Sequence, residues 1–211
     1  MSEICQQIIE AKAIAILRGD HQQHLDTIAR LLHEGGIRAI EVTLNSPGAL
    51  SMIAHLAQAY GDQMLVGAGT VLDTDGVAAA AAAGARFIVA PDTFADVIAA
   101  ALRHELEPLP GVFTATEART AIRAGARLLK LFPAEQGGPE YLRQLRAPLH
   151  DALFIPTGGI TAENARAYLK AGAVALGIGG WLVPAVFDAS ASACAGLSER
   201  AANLMRAIRE A

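Results

Sequence analysis

Ala124-Gly125-Ala126-Arg127-Leu128-Leu129-Lys130-Leu131-Phe132-Pro133 is the stretch that decides the fold of this chain. A helical, alanine-rich segment runs up to Gly125, and glycine suits the left-handed position that closes a helix. A nearly continuous apolar run follows, the signature of a strand buried on both faces in a parallel sheet covered by helices. The same mark recurs at Gly35-Gly36-Ile37-Arg38, Ala83-Gly84-Ala85-Arg86 and Ala171-Gly172-Ala173-Val174, each leading into a strand-like run. Working outward, the runs are Ala13–Leu17, Ala39–Leu44, Leu65–Ala68, Phe87–Ala90, Glu107–Leu109, Leu128–Phe132, Leu153–Pro156 and Val174–Ile178. A helical pattern follows each of them. The glycine marks fall in every second unit, which points to a repeated architecture. Ser46-Pro47, Thr116-Glu117 and Thr161-Ala162-Glu163 read as helix starts. Eight βα units without a long linker predict one α/β domain over residues 1–211, a (β/α)8 barrel of the TIM type with a short N-terminal helix. An open, doubly wound sheet is the alternative that periodicity leaves standing.

Composition narrows the function. A hydrophobic share of 53% against 18% charged residues predicts extensive burial and a subunit interface. A net charge of −4 without a basic block argues against nucleic acid as a partner. Met1-Ser2-Glu3-Ile4-Cys5 has no basic leader region, no apolar run reaches membrane-spanning length, and Cys5 and Cys194 form no disulfide framework. Together these features predict a cytoplasmic protein that engages neither membrane nor nucleic acid.

Lys130 stands out because it interrupts an apolar strand, whereas Lys12 and Lys170 lie in helical stretches. A buried ammonium is costly unless it is paired or loses its proton. The free amine is a nucleophile that condenses with carbonyls. Glu41, inside Ala39-Ile40-Glu41-Val42-Thr43-Leu44, is a buried carboxylate suited to general acid/base work. The alternative for both is a structural Lys130–Glu41 ion pair. Arg18, at the end of the first run, can grip a carboxylate or phosphate, or be a solvated loop arginine. Gly67-Ala68-Gly69-Thr70 allows close backbone approach and offers a hydroxyl, although small residues at strand ends can simply relieve crowding. Ala90-Pro91-Asp92 and Leu109-Pro110-Gly111 read as turns rather than as parts of a pocket floor.

Gly158-Gly159 and Gly179-Gly180 follow the last two runs, where barrels often hold phosphate on backbone N–H groups. No GxxxxGK[ST] loop occurs, so an NTPase is not expected. None of the six histidines falls in a strand run, and no metal site is expected. His21-x-x-His24 reads as solvated surface rather than a ligand pair. Phe132 and Trp181 read as packing residues.

The strand ends, taken in order, resemble the class I 2-keto-3-deoxy-6-phosphogluconate/2-keto-3-deoxy-6-phosphogalactonate aldolase family. The segments are Ala15-Ile16-Leu17-Arg18-Gly19, Glu41-Val42-Thr43-Leu44-Asn45-Ser46-Pro47, Gly67-Ala68-Gly69-Thr70-Val71-Leu72, Leu129-Lys130-Leu131-Phe132-Pro133-Ala134-Glu135 and Pro156-Thr157-Gly158-Gly159-Ile160. The resemblance runs from Ala13 to Pro184. It implies a trimeric (β/α)8 barrel that needs no metal or cofactor. It also implies a phosphorylated 2-keto-3-deoxy sugar acid as substrate, cleaved to pyruvate and D-glyceraldehyde 3-phosphate. By the same resemblance, Lys130 forms a Schiff base with the keto carbon and Glu41 shuttles protons. Arg18, Thr70, Asn45, Thr157 and Phe132 contact substrate, and Gly158, Gly159, Gly179 and Gly180 hold phosphate. Asn45-Ser46-Pro47 resembles the galactonate branch, where the gluconate branch has an arginine at Asn45. Thr157 resembles the gluconate branch, so the preferred C4 epimer stays open. Gly180 stands where a serine is common, which leaves the phosphate to backbone N–H groups. The competing readings are a related 4-hydroxy-2-oxoglutarate aldolase, a pyridoxal-phosphate-binding barrel and a non-catalytic sugar-phosphate sensor.

Overall fold

The computed structural model describes residues 1–211. Each apolar run becomes a parallel strand. They are β1 (Ala13–Leu17), β2 (Ala39–Thr43), β3 (Leu65–Gly69), β4 (Phe87–Val89), β5 (Glu107–Leu109), β6 (Gly111–Val112), β7 (Leu128–Leu131), β8 (Leu153–Pro156) and β9 (Leu176–Ile178). The helices are α1 (Glu3–Ala11), α2 (Leu25–Glu34), α3 (Ala49–Tyr60), α4 (Thr74–Ala82), α5 (Ala95–Arg103), α6 (Ala115–Arg123), α7 (Gly138–Arg146), α8 (Ala162–Lys170) and α9 (Ala191–Arg209). The fold is α/β with a curled parallel sheet. Six strands run in the order β5-β4-β3-β2-β1-β9, and a second sheet has the order β6-β7-β8.

Backbone hydrogen bonds link the two sheets at both edges. The fifth run resumes after Pro110 as β6, so the Leu109-Pro110-Gly111 turn expected from sequence is a strand that passes from one sheet to the other. Pro110 has no N–H to give to a ladder, which accounts for the break. Its carbonyl still accepts from Lys130 N at 2.9 Å. At the other edge, Val174 N donates to Phe154 O at 3.0 Å and Thr157 bridges to Gly177.

The punctuation is local chemistry. Gly36, Gly84, Gly125 and Gly172, which follow alternate helices, all take positive φ; at Gly125 the angle is +105°. The helix starts move slightly from expectation. Thr114 rather than Thr116 caps α6, in a capping box with Glu117. Thr161 caps α8 in a box closed by Asn164. One residue, Gly48, separates Ser46-Pro47 from α3.

The core divides in two. One apolar layer lies between the strands and the surrounding helices, with α9 packed on α2 and α8. A smaller cluster fills the inside of the curl, where Ile14, Phe87, Val89, Leu109, Leu128 and Ile155 meet Ile4, Cys5 and Ile8 of α1. That helix therefore covers the amino-terminal ends of the strands. Its Ser2 cap accepts from Cys5 N at 3.0 Å. No helix is long and apolar enough to cross a membrane.

Candidate active site

Strand alternation sends every second side chain into the curl. On β7 this puts Leu128 and Lys130 inside, and on β2 it puts Ala39 and Glu41 inside. Leu128 and Ala39 join the inner apolar cluster, so the two charged groups sit one layer above it, toward the carboxyl ends. Both are buried, Glu41 with 2% and Lys130 with 6% of its surface exposed.

Neighbouring glycines make the room they need. A Cβ at Gly69 would stand 2.5 Å from Glu41 Oε1. A Cβ at Gly67 would overlap the ring of Phe87 beneath, and one at Gly177 would overlap the hydroxyl of Thr157. Glycine on β3 and β9 is thus the complement of inward side chains on β2, on β4 and just after β8.

The electrostatics oppose charge on both groups. Burial pushes the Glu41 carboxyl up to about 6, against the pull of Lys130 and Arg18 in the other direction. Burial also pushes the Lys130 amine below the ordinary lysine range, helped by Arg18 and opposed by Glu41. The structural ion pair weighed from sequence does not form. The salt bridges are Arg30–Glu34, His55–Asp26, Arg143–Glu140 and His150–Asp151, all on the surface. Lys130 Nζ instead lies 4.6 Å from the centroid of the Phe132 ring. The amine and the carboxyl therefore share one layer without a direct ion pair between them.

Above them is a cavity of about 330 Å³. Arg18, Lys130, Phe132, Thr157 and the four glycines Gly158, Gly159, Gly179 and Gly180 line it, together with Trp181. Thr157 is buried and its hydroxyl donates to Ile155 O at 3.4 Å. Gly158 and Gly159 have φ of +98° and +69°. None of the four glycine N–H groups donates to a protein acceptor, which leaves four donors without a protein partner in the cavity wall. Asn164 fixes the first pair by donating from Nδ2 to Gly159 O at 2.7 Å. Phe132 and Trp181, read as packing residues, are cavity walls as well.

Two expected site residues stand apart. Asn45 is exposed in the turn after β2, and Thr70 follows β3 with φ +56°; neither lines the cavity. Glu41 lies deeper and is not part of the lining either. Sequence reading missed Thr43 and Ser46. Thr43 Oγ1 bonds to Leu17 O at 3.3 Å and to Ser46 Oγ at 2.9 Å, and Ser46 Oγ accepts from Gly19 N at 3.0 Å. This tie joins the strand ends that carry Arg18 and Asn45. Two hydroxyl residues flanking the turn after Glu41 were the available signal.

His21 is a correction. It is not solvated surface: it is 1% exposed and both ring nitrogens lack hydrogen-bond partners, whereas His24 is only half-buried. The loop after β1 folds its ring inward, and burial lowers its pKa, favouring the neutral form. No group of three His, Cys, Asp or Glu side chains is placed to hold a metal ion.

Volume alone does not select this site. A larger hollow of about 550 Å³ lies at the amino ends of β2, β3 and β4, but Glu3, Glu10, Arg38 and Arg86 in its wall are all exposed side chains. The buried amine and carboxyl, Lys130 and Glu41, lie toward the other end.

Residues 4–192 match the family described as KDPG and KHG aldolase. The chain belongs to this aldolase family. It is 38% identical over 199 residues to the 2-dehydro-3-deoxy-6-phosphogalactonate aldolase of Escherichia coli K12, covering 94% of this chain and 95% of the relative. It is 39% identical over 181 residues to the 2-dehydro-3-deoxy-phosphogluconate aldolase of Pseudomonas aeruginosa, covering 85% and 82%. Among solved structures, native KDPGal superposes with a TM-score of 0.87 at 37% identity, covering 94% of each chain. The protein is accordingly an aldolase, a lyase that breaks a carbon–carbon bond.

Proposed function

We propose that this aldolase cleaves 2-keto-3-deoxy-6-phosphogluconate and 2-keto-3-deoxy-6-phosphogalactonate to pyruvate and D-glyceraldehyde 3-phosphate through a Schiff base on Lys130. The observation that carries the reading is the buried pair: an amine held below its usual pKa and a carboxyl held above its own, in one layer under an open cavity. The names of the Escherichia coli and Pseudomonas relatives support one substrate each.

The chemistry follows from these groups. The neutral Lys130 amine adds to the C2 carbonyl, and the protonated Glu41 carboxyl gives its proton as water leaves, which yields a protonated imine and a Glu41 carboxylate. The Glu41 carboxylate takes the C4 hydroxyl proton. The electrons of the C3–C4 bond move to the imine nitrogen, so an enamine forms and glyceraldehyde 3-phosphate departs. Glu41, now an acid, returns the proton to C3, and water hydrolyses the imine to pyruvate and free Lys130. A carboxyl with a pKa of about 6 suits both directions of transfer near neutral pH. On this reading Arg18, in the cavity wall, holds the substrate carboxylate. Gly158, Gly159, Gly179 and Gly180 offer four free N–H donors to the phosphate. Thr157 and Phe132 line the substrate's path, and Asn45 and Thr70 flank it from the neighbouring strand ends.

The same reading takes the two sheets as one closed (β/α)8 barrel forming a single domain over residues 1–211, supported by the bonds at Pro110 and at Thr157–Gly177. It takes the working form as a cytoplasmic homotrimer. Support comes from the exposed apolar side chains Leu72, Phe94 and Val186 and from two free cysteines.

Borohydride reduction in the presence of pyruvate tests the mechanism. The expected product carries pyruvate's added mass on Lys130 and has lost activity. Unmodified Lys130 after reduction overturns the Schiff-base reading.

A further inference from the structure

We propose that Glu135 is a specificity-determining residue, whose carboxylate flanks the phosphate end of the cavity and limits how strongly the enzyme favours phosphorylated over unphosphorylated substrate. This deepens the aldolase reading and rests on its placing of the phosphate at the glycine pairs.

Glu135 lies in the short turn Ala134–Gln136 that follows β7. Gly159 faces it directly. A Cβ on Gly159 would stand 2.6 Å from both Cβ and Oε2 of Glu135, so the acid occupies the space that a side chain would take. Ordinary covalent geometry then puts Oε2 within about 5 Å of the Gly159 nitrogen. That nitrogen is one of the four unpartnered donors at this end of the cavity. The carboxylate itself joins no ion pair, since every salt bridge lies elsewhere. The nearby Tyr168 hydroxyl is committed to Ala134 O at 3.1 Å, and the Asn164 amide to Gly159 O.

The cavity's only cationic side chains are Arg18 and Lys130. Both are engaged at the keto-acid end in the proposed reaction. A phosphate dianion at the glycines therefore meets four backbone donors and one uncompensated negative charge. Donors attract the phosphate and Glu135 repels it, while an uncharged hydroxyl in the same place feels neither strongly. At Gly180 an added Cβ meets nothing within 4 Å, so this position has room for a side-chain donor but none of its own.

The test compares kcat/KM for 2-keto-3-deoxy-6-phosphogluconate and for its unphosphorylated counterpart in wild type, Glu135→Gln and Glu135→Asp. Taking the ratio of the two substrates within each variant cancels any loss of folded protein. Glu135→Gln should shift the ratio toward the phosphorylated substrate by about tenfold, mainly through KM, for a charge pair near the protein surface. Inorganic phosphate should inhibit this variant at about tenfold lower concentration. Glu135→Asp keeps the charge but withdraws it, and should move the ratio the same way by less. An unchanged ratio, or a shift toward the unphosphorylated substrate, overturns the inference. Pyruvate trapping on Lys130 separates the two claims: an adduct with an unmoved ratio removes Glu135 alone, whereas no adduct in wild type removes the aldolase mechanism.

Discussion

Glu41 and Glu107 are the two glutamates buried in the strands, and they sit at opposite ends of the sheet. Burial is the chief cause raising the pKa of each. Their surroundings differ. Glu107 opens β5 at the amino end, accepts a hydrogen bond from the Ser2 hydroxyl and lies in the fields of Arg127 and the chain's amino group. Apolar side chains of α1 close that end, and burial pushes the Cys5 thiol up to about 11, which keeps it an inert thiol. Glu41 accepts no comparable hydrogen bond and faces an amine under an open cavity. A perturbed carboxyl therefore marks chemistry only where a reactive partner and space for substrate accompany it.

Removing the partner should have the largest effect. Lys130→Met should lower kcat by at least about 10⁴-fold, the scale seen when a covalent nucleophile is lost. It should also abolish the borohydride adduct; substantial residual turnover would detach the nucleophile's role from this strand.

Glu41→Gln comes next, with kcat reduced about 10²- to 10⁴-fold while pyruvate is still trapped on Lys130. In wild type the rate should fall as pH drops below about 6, because the base becomes protonated, and this acid limb should vanish in the variant. Stability should move the other way. The folded-state pKa lies above the reference value of 4.5, so the folded protein binds the proton more tightly, and stability is lost as pH rises from about 4.5 through about 6. Glutamine resembles the neutral acid, so the variant should be more stable by about 2 kcal/mol at pH 7.5 and equal to wild type near pH 4, read by urea unfolding. A stability loss at pH 7.5 would mean that Glu41 is held by a structural partner after all.

The contrast between the two ends was only half legible in the sequence. Lys130 and Glu41 could be read because a charge inside an apolar strand needs a reason. The glycine marks could be read because a helix end at positive φ has little alternative to glycine. Glu107 is also a charge in a strand run, yet the hydroxyl that hydrogen-bonds it comes from Ser2, 105 positions away. The same distance problem hid the inward turn of His21 and the contact of Glu135 with Gly159. Pro110 misled because local turn chemistry says nothing about the neighbouring ladder that recruits β6. Gly67 and Gly69 could be read as small residues that relieve crowding, but what crowds them, and Gly177, could not. Their function is spatial, and it shows only when the strands beside them supply Phe87, Glu41 and Thr157.

The smallest expected effect probes the amino end itself. Ser2 has two duties, capping α1 through Cys5 N and donating to Glu107. Ser2→Ala removes both, at a cost of about 1–2 kcal/mol from the lost cap and the lost hydrogen bond. The loss should depend on pH. The Ser2 hydroxyl stabilises the ionised carboxylate, so removing it raises the folded-state pKa of Glu107 further. That added cost appears above the carboxyl's titration range and fades as pH falls below it. Urea unfolding should therefore show a larger deficit at pH 7 than at pH 4, with kcat/KM changed by less than about twofold, as expected for a substitution away from the reacting groups. A large fall in kcat/KM would tie the covered end to the chemistry and break the division of labour between the two glutamates. An equal deficit at both pH values would instead confine Ser2 to its role as a helix cap.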